Sequence, residues 1–453
     1  MTSDELRPSL WLARDRPEPT PPLEGWLRAD VVVVGGGLTG LWSAIHLKEA
    51  DPAADVVVLE AEEVGYGASG RNGGFAMTMV GRSLHDLLRK VGPTRARATY
   101  DAMVGALRRI QAFASAEGFG SAVERAPILT VSNGPDQDVR IERDLEAADR
   151  LGLGSFRPLD ASACRDLVAA EGVRRGHLEE HGLLVDPAAL VRGLRDAAIR
   201  RGVRVHERTP ARAIRAGSSG VEVRTPSGAV RAERGVLALG AYGAAVPRIR
   251  RFLFTVYASI VVTEPLSEER WARVGWRGGL GVEDRRTMPH FFRPTPDGRI
   301  LWGGRDAPYV PGGPDARFDR IPWVYARLEE TFRATFPQLA DVRIAGGWSG
   351  PIDATVTAMP HVGWLGGGAA AYVAGYSAHG VGPAHLVGEV VRDLVLRRDG
   401  DLLELPFVTG PRVPLPPEPL RRLVVALPQR VLQRADDAGG GGPAARLLAR
   451  VLQ

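Results

Sequence analysis

The stretch from Asp30 to Gly40, D-V-V-V-V-G-G-G-L-T-G, constrains this chain more than any other. Val31 to Val34 form a β-branched run that suits a buried parallel strand. Gly35, Gly37 and Gly40 follow at the spacing of a G-x-G-x-x-G turn, and Leu41 to Ala50 reads as a helix. A second apolar run, Val56 to Leu59, ends in Glu60, twenty residues after Gly40. Together these make a nucleotide-binding βαβ unit. Gly35 provides the tight turn, Gly37 lets the backbone approach a pyrophosphate, and Gly40 lets helix and strand pack closely. The helix start offers N–H groups and positive potential to phosphates. Glu60 is placed to accept hydrogen bonds from ribose hydroxyls, and its charge disfavours a 2′-phosphate. An incidental glycine turn would not also place Glu60.

A chain of 453 residues can bury a large core and is long enough for two domains. The formal charge is +5, but only Lys48 and Lys90 are lysines, and the arginines are interspersed with Asp and Glu. That is the pattern of solvated mixed-charge faces. No nucleic-acid motif accompanies it. Cys164 is the only cysteine, which excludes an intramolecular disulfide, a cysteine zinc site and an iron–sulfur cluster. No metal site is expected. The first twenty residues carry charge and proline but no apolar signal core. No apolar run approaches the roughly 18 residues of a membrane span. A cytoplasmic location is the expectation.

The pattern predicts an arm over residues 1–28, pinned by Trp11, Leu12 and Trp26. Helices are predicted over 83–118, 136–170, 186–201, 323–336 and 383–397. Strands are predicted at 203–206, 221–224, 236–239 and 371–375, and residues 250–310 read as strand-rich. The nucleotide domain is expected in three pieces, 29–82, 180–248 and 343–400. A second domain of helices and antiparallel sheet is built from 83–179 and 249–342. Residues 401–453 form an extension with a basic amphipathic stretch, a glycine linker at 439–442 and a final short helix.

Beyond the first turn, three segments carry a resemblance. They are G-A-S-G-R-N-G-G at 67–74, L-A-L-G-A-Y at 237–242 and G-Y-S-A-H-G-V-G at 375–382. With the arm, they resemble FAD-dependent amine oxidoreductases of the D-amino-acid oxidase superfamily, over roughly residues 10–430. Its members include glycine oxidase, monomeric sarcosine oxidase and γ-glutamylputrescine oxidase. The last of these and the aminophosphonate oxidoreductase branch look nearest. The resemblance implies an α/β fold, in which a Rossmann-like FAD domain of the glutathione-reductase type is interleaved with an α+β substrate domain. It implies FAD rather than NAD. Gly35, Gly37, Leu38, Thr39, Gly40, Glu60 and Ala61 would hold the ADP half. Ala68, Ser69, Gly70, Arg71, Asn72, Gly73 and Gly74 would run along the pyrophosphate and the isoalloxazine. Ala211 would meet adenine through its backbone, and Gly240 and Tyr242 would close over the diphosphate. Gly375, His379, Gly380, Val381 and Gly382 would bring a helix start to the pyrimidine edge of the flavin. Helix N–H groups there stabilise negative charge on a reduced flavin.

Three departures from that family matter. Cys164 lies in a predicted helical insertion, so FAD is expected to be non-covalent. Neither lysine matches the oxygen-activating lysine of sarcosine oxidases, which leaves Arg305, His290 or His379 to supply a positive charge if oxygen is the acceptor. A dehydrogenase with another acceptor stays open. Finally, the carboxylate-binding arginine of a G-L-R-P segment is absent from Gly347-Trp348-Ser349-Gly350-Pro351. An ordinary α-amino acid is therefore a poorer fit than an amine whose anionic group lies elsewhere or is missing.

The resemblance implies oxidation of an amine C–N bond by hydride transfer, with oxygen as acceptor and hydrogen peroxide formed. Tyr257, Phe292 and Trp348 are candidates for the substrate wall, and His290, Arg305 and His379 for the chemistry. The alternatives are a flavin enzyme for a non-amine substrate and a flavoprotein partner without turnover. The basic C-terminal stretch is a candidate for contact with an anionic membrane surface, against a helix packed on the body.

Overall fold

The computed structural model describes residues 8–437. The expected linker at 439–442 and the terminal helix lie outside them.

Val31 to Val34 are buried on both faces, as a β-branched run without polar alternation requires. Their strand, Gly25–Val34, pairs in parallel with Val56–Leu59 on one side and Gly228–Leu237 on the other. Arg204–His206 extends the sheet beyond Val56–Leu59, and Ala370–Ala374 pairs in parallel with Gly228–Leu237. An antiparallel hairpin, Ala213–Gly217 with Gly220–Arg224, completes one edge. The helices Leu38–Ala50, Pro187–Arg200 and Pro383–Leu396 pack on one face through a shared apolar core. Asp186 caps the second of these by accepting from the Ala188 and Ala189 amides. All eight strands come from 25–59, 204–237 and 361–374.

The second sheet has nine strands. One end is the long antiparallel pair Phe254–Thr263 and Ile344–Ala354, continued through Ile300–Gly304, His290–Pro294 and Gly281–Asp284. One parallel step, Gly281–Asp284 with Ile128–Ser132, joins the strands of the earlier insertion. The helix Pro322–Thr335 covers one face through Val324, Leu328 and Phe332.

Local expectations change at three places. The predicted helix 136–170 divides into a helix Pro135–Arg150, a strand Phe156–Asp160 and a short helix Ala161–Leu167. Gly152, at φ +64°, ends the first helix, and the strand then pairs with Arg175–Glu179. The helix Leu84–Ala116 is broken at Gly92, at φ +79°, just before Pro93. Trp11 and Leu12 are buried, but Trp26 is exposed on the first strand, under the Arg231 guanidinium. The arm is therefore pinned without it.

Candidate functional site

A single cleft of about 1460 Å³ runs from the C-terminal ends of the parallel strands to the face of the second sheet. This is where an open α/β sheet places its ligands. The volume exceeds the ordinary small-molecule range of roughly 300–1,000 Å³ and suits an extended dinucleotide with room beside it.

One end is built by the first glycine turn. A Cβ on Gly35 would fall 2.3 Å from the Ala238 carbonyl oxygen, and one on Gly40 would fall 1.9 Å from the Gly35 carbonyl oxygen. Both must be glycine for the turn to close. A Cβ on Gly37 would point at Ser69 Oγ, 2.7 Å away. Ser69 Oγ accepts from the Leu38 amide at 3.0 Å, so the second glycine loop is tied to the start of the helix. Glu60 Oε2 accepts from the Gly36 amide at 2.7 Å and Oε1 from the Glu62 amide at 3.0 Å. Burial pushes its carboxyl up to about 7, against the pull of these two hydrogen bonds. The backbone of Thr209 to Ser218 and the Leu365–Gly367 turn close this end.

The middle is the loop at 67–74. Asn72 folds it: its Nδ2 donates to the Ala68 and Ser69 carbonyls and its Oδ1 accepts from the Gly74 amide. The arm holds it from outside. Ser9 Oγ donates to the Gly70 carbonyl at 2.7 Å, and Trp11 Nε1 donates to the Asn72 carbonyl at 2.9 Å. Arg71 lines the cleft and is almost fully buried. Its guanidinium donates to the Tyr66 and Ser349 carbonyls, pairs with Asp319 at 2.9 Å and lies over the Tyr66 ring. Its Nη2 has no partner among the described residues. Arg71 crowds the space at Gly350: a Cβ there would lie 3.1 Å from Arg71 Cβ, a tight contact that Arg71 would have to ease. Position 350 is the one before Pro351 where the G-L-R-P pattern carries its arginine. A guanidinium is thus present beside the second sheet, but it comes from the loop.

The far end joins the second sheet to the turn before Pro383–Leu396. Ala258, Ile260, Phe291, Gly350 and Ile352 line it from the sheet, with Tyr376, Ala378, Gly380, Val381 and Ala384 opposite. Tyr376 Oη and Thr39 Oγ1 are hydrogen-bonded at 2.7 Å, linking the two glycine turns. The buried Asp353 carboxylate accepts from the Gly375 amide, and burial raises it to about 6. Ser377 and Ala378 both adopt positive φ, +51° and +74°. Backbone strain of this kind collects at ligand-holding turns.

Of the predicted cofactor residues, Gly35, Gly37, Leu38, Thr39, Glu60, Ala61, Ala68, Ser69, Arg71, Asn72, Gly73, Ala211, Gly240, Tyr242, Gly380 and Val381 line this one cleft. Gly40, Gly70, Gly74, Gly375 and Gly382 stand behind it, where a Cβ would strike neighbouring backbone or side chains. His379 lies between two lining residues without lining the cleft. Its Nδ1 is 3.0 Å from the Ser377 carbonyl, and burial lowers its pKa, which favours the neutral ring.

The substrate-side expectations are corrected by strand parity. Tyr257 and Phe292 point to the opposite face of the second sheet, into the core beneath Pro322–Thr335. Phe292 stacks on Trp302 at 4.6 Å, and Tyr257 Oη donates to the Asp315 carbonyl. Their neighbours Ala258 and Phe291 face the cleft. His290 is on the covered face as well, between Asp284 Oδ2 at 2.8 Å and Thr331 Oγ1 at 3.1 Å. Arg305 is buried against Asp306 and Asp437, away from the lining. Trp348 has the cleft-facing parity, paired with Ile260, but the arm residues Leu10, Trp11 and Leu12 cover it. Its Nε1 donates to the Arg71 carbonyl at 2.8 Å. Successive side chains alternate across a strand, so a one-residue error in choosing a wall exchanges every candidate. Alternation puts Phe291 and Phe292 on opposite faces, and only the strand pairings decide that Phe291 is the one at the cleft.

Cys164 is buried in the core of the second sheet and does not line the cleft; nor do Lys48 and Lys90. His46, His385 and Glu389 each bring one ligand atom within 4.8 Å of the others. However, Arg109 pairs with Glu389 at 2.8 Å, and Arg392 adds positive charge beside His385. That surrounding opposes a cation.

Comparison with known proteins agrees with this geometry. A family model described as FAD dependent oxidoreductase matches residues 30–394. The γ-glutamylputrescine oxidoreductase of Escherichia coli is 34% identical over 400 residues, 86% of this chain and 88% of that protein. Among solved structures, L-proline dehydrogenase from P. horikoshii superposes with a TM-score of 0.70 at 18% identity, covering 86% of this chain and 96% of the other. Glycine oxidase from Geobacillus kaustophilus does so with 0.69 at 21%, covering 85% and 100%.

Proposed function

From the premise that the chain belongs to the FAD-dependent oxidoreductase family, we propose that it oxidises the C–N bond of a small amine or amino acid derivative. The observation that carries this reading is the continuity of the cleft. The glycine turn and Glu60 at one end and the wall of Ala258, Ile260 and Phe291 at the other belong to one space. Bound there, FAD supplies the two-electron acceptor for hydride from the carbon bearing nitrogen.

The chain does the rest. The Gly35–Gly40 turn and the start of Leu38–Ala50 would hold the pyrophosphate, and Glu60 would accept from the ribose hydroxyls. The backbone amides of Gly380 and Val381, in the turn before Pro383–Leu396, would be offered to negative charge on a reduced flavin. The apolar wall of the second sheet excludes water and holds the amine neutral, as hydride loss requires. Arg71 is the side chain best placed to meet an anionic group on the substrate, or negative charge at the cleft. Water then hydrolyses the imine to a carbonyl compound and an amine or ammonia.

The burial of Cys164 away from the cleft supports non-covalent FAD. Oxygen as acceptor would need a cationic surrounding that no lysine of the lining provides. Arg71 and the helix start are the available sources. The similarity to γ-glutamylputrescine oxidoreductase favours an extended amine bearing a distant carboxylate.

The test is anaerobic titration of the yellow protein with glycine, sarcosine, D-alanine, 2-aminoethylphosphonate, putrescine and γ-glutamylputrescine. Bleaching of the flavin by one amine, with recovery in air, is the expected result. Bleaching without rapid recovery would assign a non-oxygen acceptor. No bleaching by any amine would refute amine oxidation for this panel.

A further inference from the structure

The helix Leu420–Asp437 docks on the second domain by one face. Val425 and Leu432 are buried there, Gln429 Nε2 donates to the Ala307 carbonyl, and Asp436 accepts from the Thr287 and Met288 amides. Its terminal Asp437 pairs with Arg305 and Arg327. The acidic end of the helix is thus spent on the body of the protein.

The other face is unlike any other surface of the described chain. Leu420, Leu423, Val424 and Leu427 are 55%, 53%, 52% and 53% exposed. Their spacing of i, i+3, i+4 and i+7 makes one stripe. At 3.6 residues per turn it is centred about 150° from the docked face. A helix bound to the protein body does not need such a stripe, and isolated exposed leucines would not align.

The stripe is framed by positive charge. Arg430 and Arg434, about 70° and 30° from its centre at 3.6 residues per turn, are exposed on the same helix. The Arg251 carbonyl accepts from Leu415, and Arg421 reaches the Leu253 carbonyl. These contacts set the short helix Pro247–Arg250, with exposed Arg248 and Arg250, beside the start of the long one. Arg248 also belongs to the rim of the cofactor cleft. Among the described residues no helix is long and apolar enough to cross a membrane.

We propose that this face is a docking surface for an anionic lipid bilayer. The Leu420–Leu427 stripe would enter the headgroup boundary while the arginines of both helices contact anionic headgroups. An apolar stripe flanked by arginine is the chemistry of an in-plane interfacial helix. A protein partner could match the stripe, but the arginines on both helices select a negatively charged surface. The orientation would hold the rim of the cleft close to the membrane.

The full-length flavoprotein would be floated with vesicles of phosphatidylcholine alone and of phosphatidylcholine with 30% phosphatidylglycerol, at ~0.1 M and ~1 M NaCl. Those salt levels change the screening length from about 10 Å to about 3 Å. Flotation with the anionic vesicles only, lost at high salt, is expected. The variant L423E/L427E, altered at exposed positions outside the cleft, should keep its flavin and its amine turnover but lose at least tenfold in partitioning. The variant R430Q/R434Q should lose roughly tenfold or more, since each arginine near an anionic surface strengthens binding on the order of fivefold. Absence of flotation on anionic vesicles would overturn the proposal. So would equal flotation of wild type and L423E/L427E. A wild-type dimer that L423E/L427E converts to monomer, without vesicle binding by either, would assign the stripe to a second copy of the chain and equally overturn it.

Discussion

Phe291 and Phe292 are adjacent in sequence, yet they stand on opposite faces of one sheet, so their truncation should damage different properties. Phe292 is 2% exposed and packs against Trp302, Phe336 and Trp276, with ring centroids 4.6, 5.8 and 5.9 Å away. Such a site cannot collapse around alanine, and Phe292→Ala should cost about 3–5 kcal/mol of stability. At about 2 °C per kcal/mol for a large domain, Tm should fall by roughly 6–10 °C. Phe291 is only partly buried. Its ring occupies the space left by Gly73 and Gly303, where a Cβ on either would lie 2.6 Å from the ring, and it forms part of the cleft wall. Phe291→Ala should cost less than about 2 kcal/mol in stability, since only part of the ring's surface is withdrawn from water. It should lower kcat/KM for the amine about tenfold, the loss of about 1.4 kcal/mol of contact in the transition state. The assay is thermal unfolding of both variants, with steady-state kinetics of the reactive amine well below either Tm. The reverse pattern would refute the assignment of faces: a stable Phe292→Ala with poor kcat/KM, or an unstable Phe291→Ala with normal kinetics.

Gly37→Val should give a folded protein without yellow colour, because its Cβ displaces Ser69 Oγ from the Leu38 amide and enters the pyrophosphate path; retention of flavin at 450 nm would contradict this. Arg71→Ala should shift the visible flavin spectrum and raise KM by about tenfold or more, the order of one charge-assisted contact, whereas an unchanged spectrum and KM would leave Arg71 a packing residue only. Arg305→Ala, remote from the cleft, should leave KM within about twofold of wild type, a change below ~0.5 kcal/mol; a large KM effect would return Arg305 to the substrate side. Burial raises the Glu179 carboxyl to about 7, so the folded protein holds a proton that the unfolded chain releases near pH 4.5, and stability falls as pH rises from 4.5 to 7. Glu179→Gln keeps an acceptor for Thr78 and Tyr100 and should raise stability at pH 8 by up to about 3 kcal/mol, with no gain below pH 4.5, measured by denaturant unfolding.

The cofactor end was legible because its demands are local. A tight turn, a close backbone approach and a helix start all fall within Gly35 to Gly40, and Glu60 follows one helix and one strand later. The 67–74 and 375–382 loops were legible only through resemblance, since nothing in their spacing alone brings them to the same cleft. The structure supplies the physical links, Ser69 to Leu38 and Thr39 to Tyr376. The substrate end was illegible for a different reason. Its wall is drawn from strands near 258, 291 and 350, and which face each presents depends on pairings across 40 to 90 residues of sequence. The pair Tyr257 and Phe292 has the right chemistry and the wrong parity. Arg71 shows the limit most clearly. The missing arginine before Pro351 reads in sequence as the loss of an anion site. In three dimensions Gly350 leaves the space that the Arg71 side chain fills, so the charge is moved from strand to loop. The two positions are coupled sterically: a side chain on 350 and an arginine at 71 compete for one volume. Restoring arginine at 350 alone would therefore press on the Arg71 side chain, and a paired change that also shortens residue 71 would relieve that contact.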